Sequence, residues 1–185
     1  MCVYLFDFLV QIINSFALTT TTTLLSNNNT IFFISHREEV KPTHYLFKGI
    51  CKTWDPIINW LETQYKMKVN VHGPDDDFSS GAVQETAREV FSSQVLPELK
   101  KDIYLLVTFH AMTEILGSVF TAWALFKGFL NTSKAIYAVQ MPVIEQSKAF
   151  GLVQGEHDVS FAEQKCKLAS CVLFLQLAIH RHNMP

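Results

Sequence analysis

The residues that could carry out chemistry are few, and they do not form a recognisable catalytic or metal-binding motif. His180 and His182 are a close pair, but a zinc site needs about four ligands at defined spacing. The acidic run from Asp75 to Asp77 lacks the alternating spacing and the final glutamate of a calcium-binding loop. The sequence also contains no glycine-rich phosphate loop and no nucleophile motif. We therefore predict no metal, no cofactor and no catalytic residue, and we expect a protein that is not an enzyme.

The four cysteines give no sign of redox chemistry either. None forms a C-x-x-C pair, and this usage suits a reducing compartment better than a disulfide-stabilised fold. Cys166 and Cys171 lie five residues apart on a predicted helix, and we expect both to be small core residues.

Charge and composition narrow the class of partner. The formal net charge is −2 and the pI is about 6.4, so the chain has no basic excess that would suit a nucleic acid. Charged residues make up 17 % of the chain, against about 25 % in an ordinary soluble domain. We therefore expect much of the helix surface to be covered by a core, by a protein partner or by a membrane.

The chain changes character near residue 36, where charged residues become frequent. Residues 1–35 contain one formal charge, Asp7, and include runs of threonine and asparagine. They lack the basic start of a secretory signal and the arginine-rich face of a mitochondrial transit peptide. We predict that residues 1–47 form an atypical, poorly ordered extension and that residues 48–185 form a helical domain.

The pattern after residue 47 is that of helices. Asp55 is a favourable N-cap residue, and Pro56 suits the first helical position because its missing amide hydrogen costs nothing there. Apolar residues then recur at helical spacing at Ile57, Trp60, Leu61 and Tyr65. Further helices are predicted at about 82–95, from Pro97 to about 130, from 131 to about 148 with a bend at Pro142, and from about Ser160 onwards. No segment after residue 72 alternates with the period of a strand, so the predicted fold class is mainly α.

The stretch from 103 to 130 has two candidate environments. Glu114 and Lys127 are its only formal charges among 28 residues, a composition that a membrane-spanning helix can also have. However, His110 and Glu114 lie near its middle, and an ionised glutamate there costs about 2.5 kcal/mol or more in lipid. We predict a buried helix of a soluble core. The alternative is a small membrane-anchored helical protein that uses this stretch or residues 1–18.

The segment from 150 to 170 presents an acid at the start of the last helix. A glycine-containing turn leads to His157 and Asp158, and the helix then continues through Glu163. Asp158 can stabilise that helix by complementing its dipole. It can instead present an exposed carboxylate to a partner protein, and the residues alone favour the first interpretation.

Two motifs taken together resemble those of the mitochondrial F₁-ATPase assembly chaperones, which bind the α subunit of ATP synthase before it joins the β subunit. The first motif is W-D-P-x-x-x-W followed by an aromatic residue, and it is matched by Trp54, Asp55, Pro56, Trp60 and Tyr65. The second is a glutamate, an aromatic-glycine pair and a His-Asp pair, and it is matched by Glu145, Phe150, Gly151, His157 and Asp158. The resemblance covers about residues 52–180.

The chain departs from this family at two positions of the second motif. Phe150 stands where members usually have tryptophan, and Ser160 stands where an acid implicated in chaperone function is common. Asp158 and Glu163 are the nearby acids that can take its place. The resemblance therefore implies that Asp158, His157 and Glu163 bind the partner, and that the other matching residues are mostly structural.

The resemblance also implies a fold and a function. The expected fold is a helical bundle of the ATP synthase assembly chaperone type, with the family's β-rich amino-terminal domain largely missing. The expected function is to bind the unassembled α subunit transiently in the mitochondrial matrix and to prevent its aggregation. This role needs no cofactor and no nucleic acid, and it needs no membrane contact except any made by residues 1–18.

Overall fold

The computed structural model describes residues 44–67, 69, 85–151, 155 and 157–182. In these ranges the backbone is helical and contains no strand, which confirms the predicted fold class. The elements are α1 (His44–Tyr65), α2 (Glu85–Val90), a π-helical turn (Phe91–Val95), α3 (Leu96–Leu99), α4 (Ile103–Leu116), α5 (Val119–Phe126), α6 (Thr132–Phe150) and α7 (His157–His182). The predicted extension up to residue 43 and the acidic run 75–77 lie outside the described residues.

Helix α1 shows that the predicted helix start at Asp55 is wrong. The helix begins at His44 and passes through Pro56, so Asp55 is an exposed residue inside it and not an N-cap. Pro56 has no amide hydrogen to donate to the carbonyl oxygen of Lys52, one turn earlier. Both residues are exposed, so water can bond to that carbonyl and the helix continues. Helix α1 includes four residues before residue 48. The division into 1–47 and 48–185 stays a prediction, because residues 1–43 lie outside the described part of the chain.

The π-helical turn between α2 and α3 accommodates a second proline. Pro97 lies in the first turn of α3, where it cannot donate a hydrogen bond to the preceding turn. The wider π-helical turn lets the amide of Leu96 donate to the carbonyl oxygen of Phe91, five residues back. The predicted helix end near 95 and the predicted start at Pro97 therefore belong to one continuous helical segment.

The stretch predicted as one helix up to residue 130 consists of two helices. Gly117 ends α4 with a φ of 60°, a left-handed conformation that favours glycine. Ser118 starts α5 as its N-cap, and its hydroxyl accepts a hydrogen bond from the amide of Thr121 at 3.2 Å. Helix α4 has 14 residues and α5 has 8. Searched over the described residues, the chain has no helix with the length and hydrophobicity needed to span a bilayer.

Helix α5 lies at the centre of the core. It packs against α1, α4 and α6, and every residue from Val119 to Leu125 is buried. The ring of Trp123 lies 5.7 Å from that of Phe109 and 5.3 Å from that of Phe126, measured between centroids. Helix α7 packs on α4 and α6 from outside, so one side of α7 faces the core and the other faces solvent.

The caps of α6 and α7 are set by local sequence. Asn131, one of three adjacent residues that the sequence offers as the cap of α6, is the cap: its side chain accepts a hydrogen bond from the amide of Lys134 at 2.9 Å. Helix α7 begins at His157, three residues before the predicted start. Cys166 is exposed, so its prediction as a core residue is wrong, whereas Cys171 is half-buried. The reason is position: Cys166 lies on the opposite side of α7 from the fully buried Leu168.

Candidate functional site

The first motif and the glutamate of the second meet where α1 packs against α6. Trp54 is buried, and its Nε1 donates a hydrogen bond to the carbonyl oxygen of Ala138 at 3.2 Å. On the same helix, Gly49 allows close approach, because a Cβ there would lie 3.0 Å from Oε1 of Glu145 and 3.0 Å from Cε of Met141. Gly49 could not be identified from the sequence, since its role depends on a residue almost one hundred positions away.

The two later aromatic residues of the first motif lie at the edge of the core. Trp60 and Tyr65 are half-buried, with ring centroids 5.5 Å apart. Trp60 also stacks on Phe129 at 4.8 Å, and Tyr65 lies 6.0 Å from Trp123. These contacts give both residues a packing role, while Asp55 and Pro56 of the same motif are exposed.

Glu145 is held by an ion pair at the α1–α6 interface. Its side chain is 10 % exposed and bonds to the ammonium of Lys148, one turn further along α6. The Lys148 ammonium donates this hydrogen bond to Oε1 of Glu145, and the bond raises the pKa of Lys148. Glu145 therefore has a structural partner on its own helix.

The connection between α6 and α7 positions Asp158. Gly151 ends α6, and its amide donates to the carbonyl oxygen of Ser147 at 2.8 Å. Gly155 has a φ of 82°, and its amide donates to Oδ1 of Asp158 at 2.8 Å. The carboxylate thus holds the turn that starts α7, yet Asp158 remains exposed. The side chains of Phe150 and His157 lie outside the described part of the chain.

A polar cleft lies where the end of α4 meets the start of α7. It has a volume of about 390 Å³ and is lined by Glu114, Ile115, Ser160, Glu163, Gln164 and Lys167. Gln164 joins three helices there: its Nε2 donates to the carbonyl oxygen of Ile115 at 2.7 Å, and its Oε1 accepts from Gln140 at 2.8 Å. Sequence reasoning missed Gln164, although Ser160 and Gln164 lie four residues apart, at the spacing of neighbours on one helix face.

The charges at this cleft are mainly negative. Glu163 pairs with Lys167 at 2.6 Å, and both side chains are exposed. The hydrogen bond and the charge of Lys167 lower the pKa of Glu163 below its usual value. Glu114 is the second exposed acid among the lining residues, and Lys167 is the single cation among them. The two predicted partner-binding acids both lie in the first turns of α7, where Asp158 is held by a backbone amide and Glu163 by a lysine.

The outer side of α7 carries a second feature that the sequence did not reveal. Four large apolar residues are between 44 % and 59 % exposed on this side: Val159, Leu173, Phe174 and Leu177. Ile179 is 45 % exposed near the end of the helix, but it lies two residues after Leu177 and so on the opposite side. Sequence analysis treats such residues as core, because a helix pattern does not show which of its faces the rest of the fold covers. Their exposure leaves an apolar surface available to another molecule.

The structure separates the predicted residues into two places. Trp54, Trp60, Tyr65 and Glu145 belong to the packing of α1, α5 and α6, whereas the two acids belong to the first part of α7. Glu163 lines the α4–α7 cleft, and Asp158 holds the turn that starts the helix. His110 is half-buried and Glu114 is exposed, so these two do not share one enclosed environment. A search of the described residues finds no group of His, Cys, Asp and Glu side chains placed to hold a metal ion. The arrangement is suited to contact with a protein surface.

Comparison with known proteins adds structural relatives only. The sequence matches no protein-family model and no curated protein sequence. The chain is similar to the crystal structure of Atp12 from Paracoccus denitrificans, with a TM-score of 0.64, 17 % identity, and coverage of 89 % of this chain and 66 % of that chain. It is also similar to an aspartate-to-lysine mutant of P. denitrificans Atp12p, with a TM-score of 0.60, 15 % identity, and coverage of 86 % and 66 %.

The likeness establishes a shared fold. At 17 % identity it says nothing about shared activity, but it confirms the chaperone-type fold that the two motifs predicted. This chain spans 66 % of the length of each of the two structures, so what the whole of those proteins does is a separate question.

Proposed function

We propose that this chain is an assembly chaperone for the F₁ sector of the proton-transporting ATP synthase. In this role it binds the unassembled α subunit transiently in the mitochondrial matrix and prevents its aggregation. The observation that carries the proposal is the fold shared with Atp12, an ATP synthase assembly factor, at a TM-score of 0.64. The W-D-P-x-x-x-W motif is a second support, because it is a feature of the sequence and does not depend on the similarity of the folds.

The physical requirements of such a chaperone fit the described surface. A free subunit exposes apolar area that its neighbours will later cover, and a chaperone must offer a comparable area while remaining soluble itself. The outer side of α7 offers exposed apolar side chains on a helix that the core already holds in place. Binding of this kind needs no covalent step and no cofactor, and release follows when the final partner subunit binds the client more tightly.

The acidic cleft has a separate role in this proposal. Asp158 and Glu163 present carboxylates beside the apolar side of α7, and such charges contribute to orientation and specificity more than to affinity. Asp158 is the stronger candidate for contact with the client, because Glu163 is already paired with Lys167. His157 starts the same helix turn and is proposed as its neighbour in that contact.

Co-purification tests the proposed function. A tagged full-length chain is expressed in cells in which the β subunit is depleted, so that unassembled α accumulates. We expect α to co-purify with the chain and to leave it when β is restored. Recovery of unrelated matrix proteins without α would overturn the proposal. Cells with normal β levels serve as the matched control, because little free α is present in them.

Fractionation tests the proposed location. A matrix chaperone is expected in the mitochondrial fraction and in the supernatant after alkaline carbonate extraction. Retention in the carbonate pellet would instead support the membrane-anchored alternative through residues 1–18.

A further inference from the structure

We propose that the outer surface formed by the carboxy-terminal half of α7 and the start of α4 binds an amphipathic helix whose apolar face is bordered by acidic residues. This surface, called here the α4–α7 surface, consists of Tyr104, Val107, Leu173, Phe174, Leu177 and Arg181. The inference deepens the proposed function and rests on it where it concerns the client. It names a docking surface and the chemistry of the segment that docks there.

The apolar part of the surface is continuous between the two helices. The rings of Tyr104 and Phe174 lie 6.0 Å apart between centroids. Tyr104 is 40 % exposed, and Leu177, one turn beyond Phe174, is 59 % exposed. Val107 lies one turn further along α4 and is 42 % exposed. An exposed patch of this kind is a common mark of a protein interaction site.

The spacing along α7 fits a helix better than a flat partner. Cys166 and Leu173 are exposed at an interval of seven residues, and Leu177 follows at an interval of four. Positions seven and four apart form one seam on a helix, of the type into which a second helix inserts its side chains. Small residues, Ala169 and Ser170, lie between Cys166 and Leu173 and leave space for the larger side chains of a partner helix.

The charges around the surface select an acidic partner. Arg181 lies over the ring of Tyr104 at 4.7 Å, and Lys100 and Lys101 are exposed just before α4. The sequences 164–182 and 103–113 contain no aspartate or glutamate. Asp102 is buried and accepts a hydrogen bond from the amide of Tyr104 at 2.9 Å, so it does not present a negative charge to solvent.

An apolar surface with basic residues around it also argues against residues 1–35 of the same chain as the segment that binds there. Residues 1–35 are apolar but contain only one acid, Asp7, so they lack an acidic border. Other occupants are a second copy of the chain or an anionic membrane. The experiment below distinguishes both from a helical protein segment.

The test uses the full-length chain and two fluorescent model helices with the same leucine-rich face. One has a polar face of glutamates and the other has a polar face of lysines. We expect the chain to bind the acidic helix about tenfold more tightly or better, and high salt to reduce that preference. Equal affinity for the two helices would overturn the charge complementarity, and absence of binding to both would overturn the docking surface.

Two matched variants locate the binding. Leu177→Gln removes an apolar residue that is 59 % exposed, and Val159→Gln removes one that is 57 % exposed about 27 Å away along α7. Leu177→Gln should weaken binding of the acidic helix about tenfold, and Val159→Gln should leave it nearly unchanged. The double change Lys100→Gln and Lys101→Gln should reduce the preference for the acidic helix, with Lys134→Gln as the control on α6. Equal effects of Leu177→Gln and Val159→Gln would overturn the assignment of the site.

The remaining occupants have their own readouts. Self-association in sedimentation velocity that Leu177→Gln abolishes would show that a second copy occupies the surface. Flotation with phosphatidylglycerol vesicles that Leu177→Gln abolishes, without binding of either helix, would assign the surface to a membrane. Either result overturns the proposal.

Co-purification of α with the same variants separates this inference from the proposed function. Loss of α with Leu177→Gln but not with Val159→Gln would support both. Retention of α by Leu177→Gln would overturn the client assignment and leave the chaperone function standing. Failure of the unaltered chain to bind α would overturn the function, while the model helices would still decide the chemistry of the surface.

Discussion

At one end of the α4–α7 pair the polar side chains bond to one another and to the backbone, whereas at the other end apolar side chains are left in water. The acidic end contains Asp158, bonded to the amide of Gly155, and Gln164, bonded to the carbonyl oxygen of Ile115. The α4–α7 surface has exposed rings and leucines that the described helices do not cover. The acidic end therefore stabilises the folded chain by itself, whereas the apolar side chains of the α4–α7 surface add stability only when another molecule covers them.

The largest expected effect on stability comes from truncating a core residue of α7 that lies between the two ends. Leu168 is fully buried on α7, between the two ends, and Leu168→Ala should lower the free energy of unfolding by about 2–5 kcal/mol. Leu173→Ala, on the same helix at 58 % exposure, should change it by no more than about 0.5 kcal/mol. Urea denaturation followed by circular dichroism measures both. Similar losses would show that the outer side of α7 is covered in the native chain.

Removing Gln164 should affect the acidic end alone. Gln164→Ala leaves the carbonyl oxygen of Ile115 without its side-chain donor and removes the acceptor for Gln140, which should cost about 1–3 kcal/mol. The exposed Gln176 on the same helix is the control, and Gln176→Ala should be nearly neutral. Binding of the acidic model helix should be unchanged in both variants once stability is accounted for. A selective loss of that binding in Gln164→Ala would mean that the two ends are coupled.

Local signals in the sequence predict the cap of α6, whereas the errors in the other helix bounds arise where tertiary packing decides the structure. Asn131 caps α6, and this could be predicted because the side chain and the amide that it accepts from, that of Lys134, are only three residues apart. The helix start at Asp55 was wrong because the preceding turns are stabilised by packing on α6, where Gly49 allows close contact. The break at Gly117 was missed because the apolar residues on both sides form an uninterrupted run. The exposure of α7 could not be predicted, since it depends on which side of the helix α4 and α6 cover.

Asp158 allows the structural and the partner-binding interpretations of the acidic end to be separated. Asp158→Ala removes the acceptor for the amide of Gly155 and should cost about 1 kcal/mol. Asp158→Asn keeps an acceptor oxygen at that position, so most of the stability should remain. If the carboxylate contacts the client, both variants should bind α more weakly, and neither should unfold the bundle. Recovery of both stability and binding in Asp158→Asn would show that Asp158 acts through the helix start and not through its charge.

The smallest expected effect is the pH dependence of the pair between Glu163 and Lys167. The hydrogen bond and the charge of Lys167 lower the pKa of Glu163 below its usual value of 4.5. A carboxyl whose pKa is lower in the folded chain adds stability above the unfolded value, and this contribution disappears as the pH falls through the folded value. Because both side chains are exposed, the change in stability should be close to the limit of detection. Carboxyl NMR titration should therefore show a midpoint below 4.5 for Glu163, and Lys167→Gln should return it towards 4.5. An identical midpoint in the two proteins would mean that Lys167 does not hold Glu163 in solution, and the Glu163 carboxylate would then be available to a partner protein.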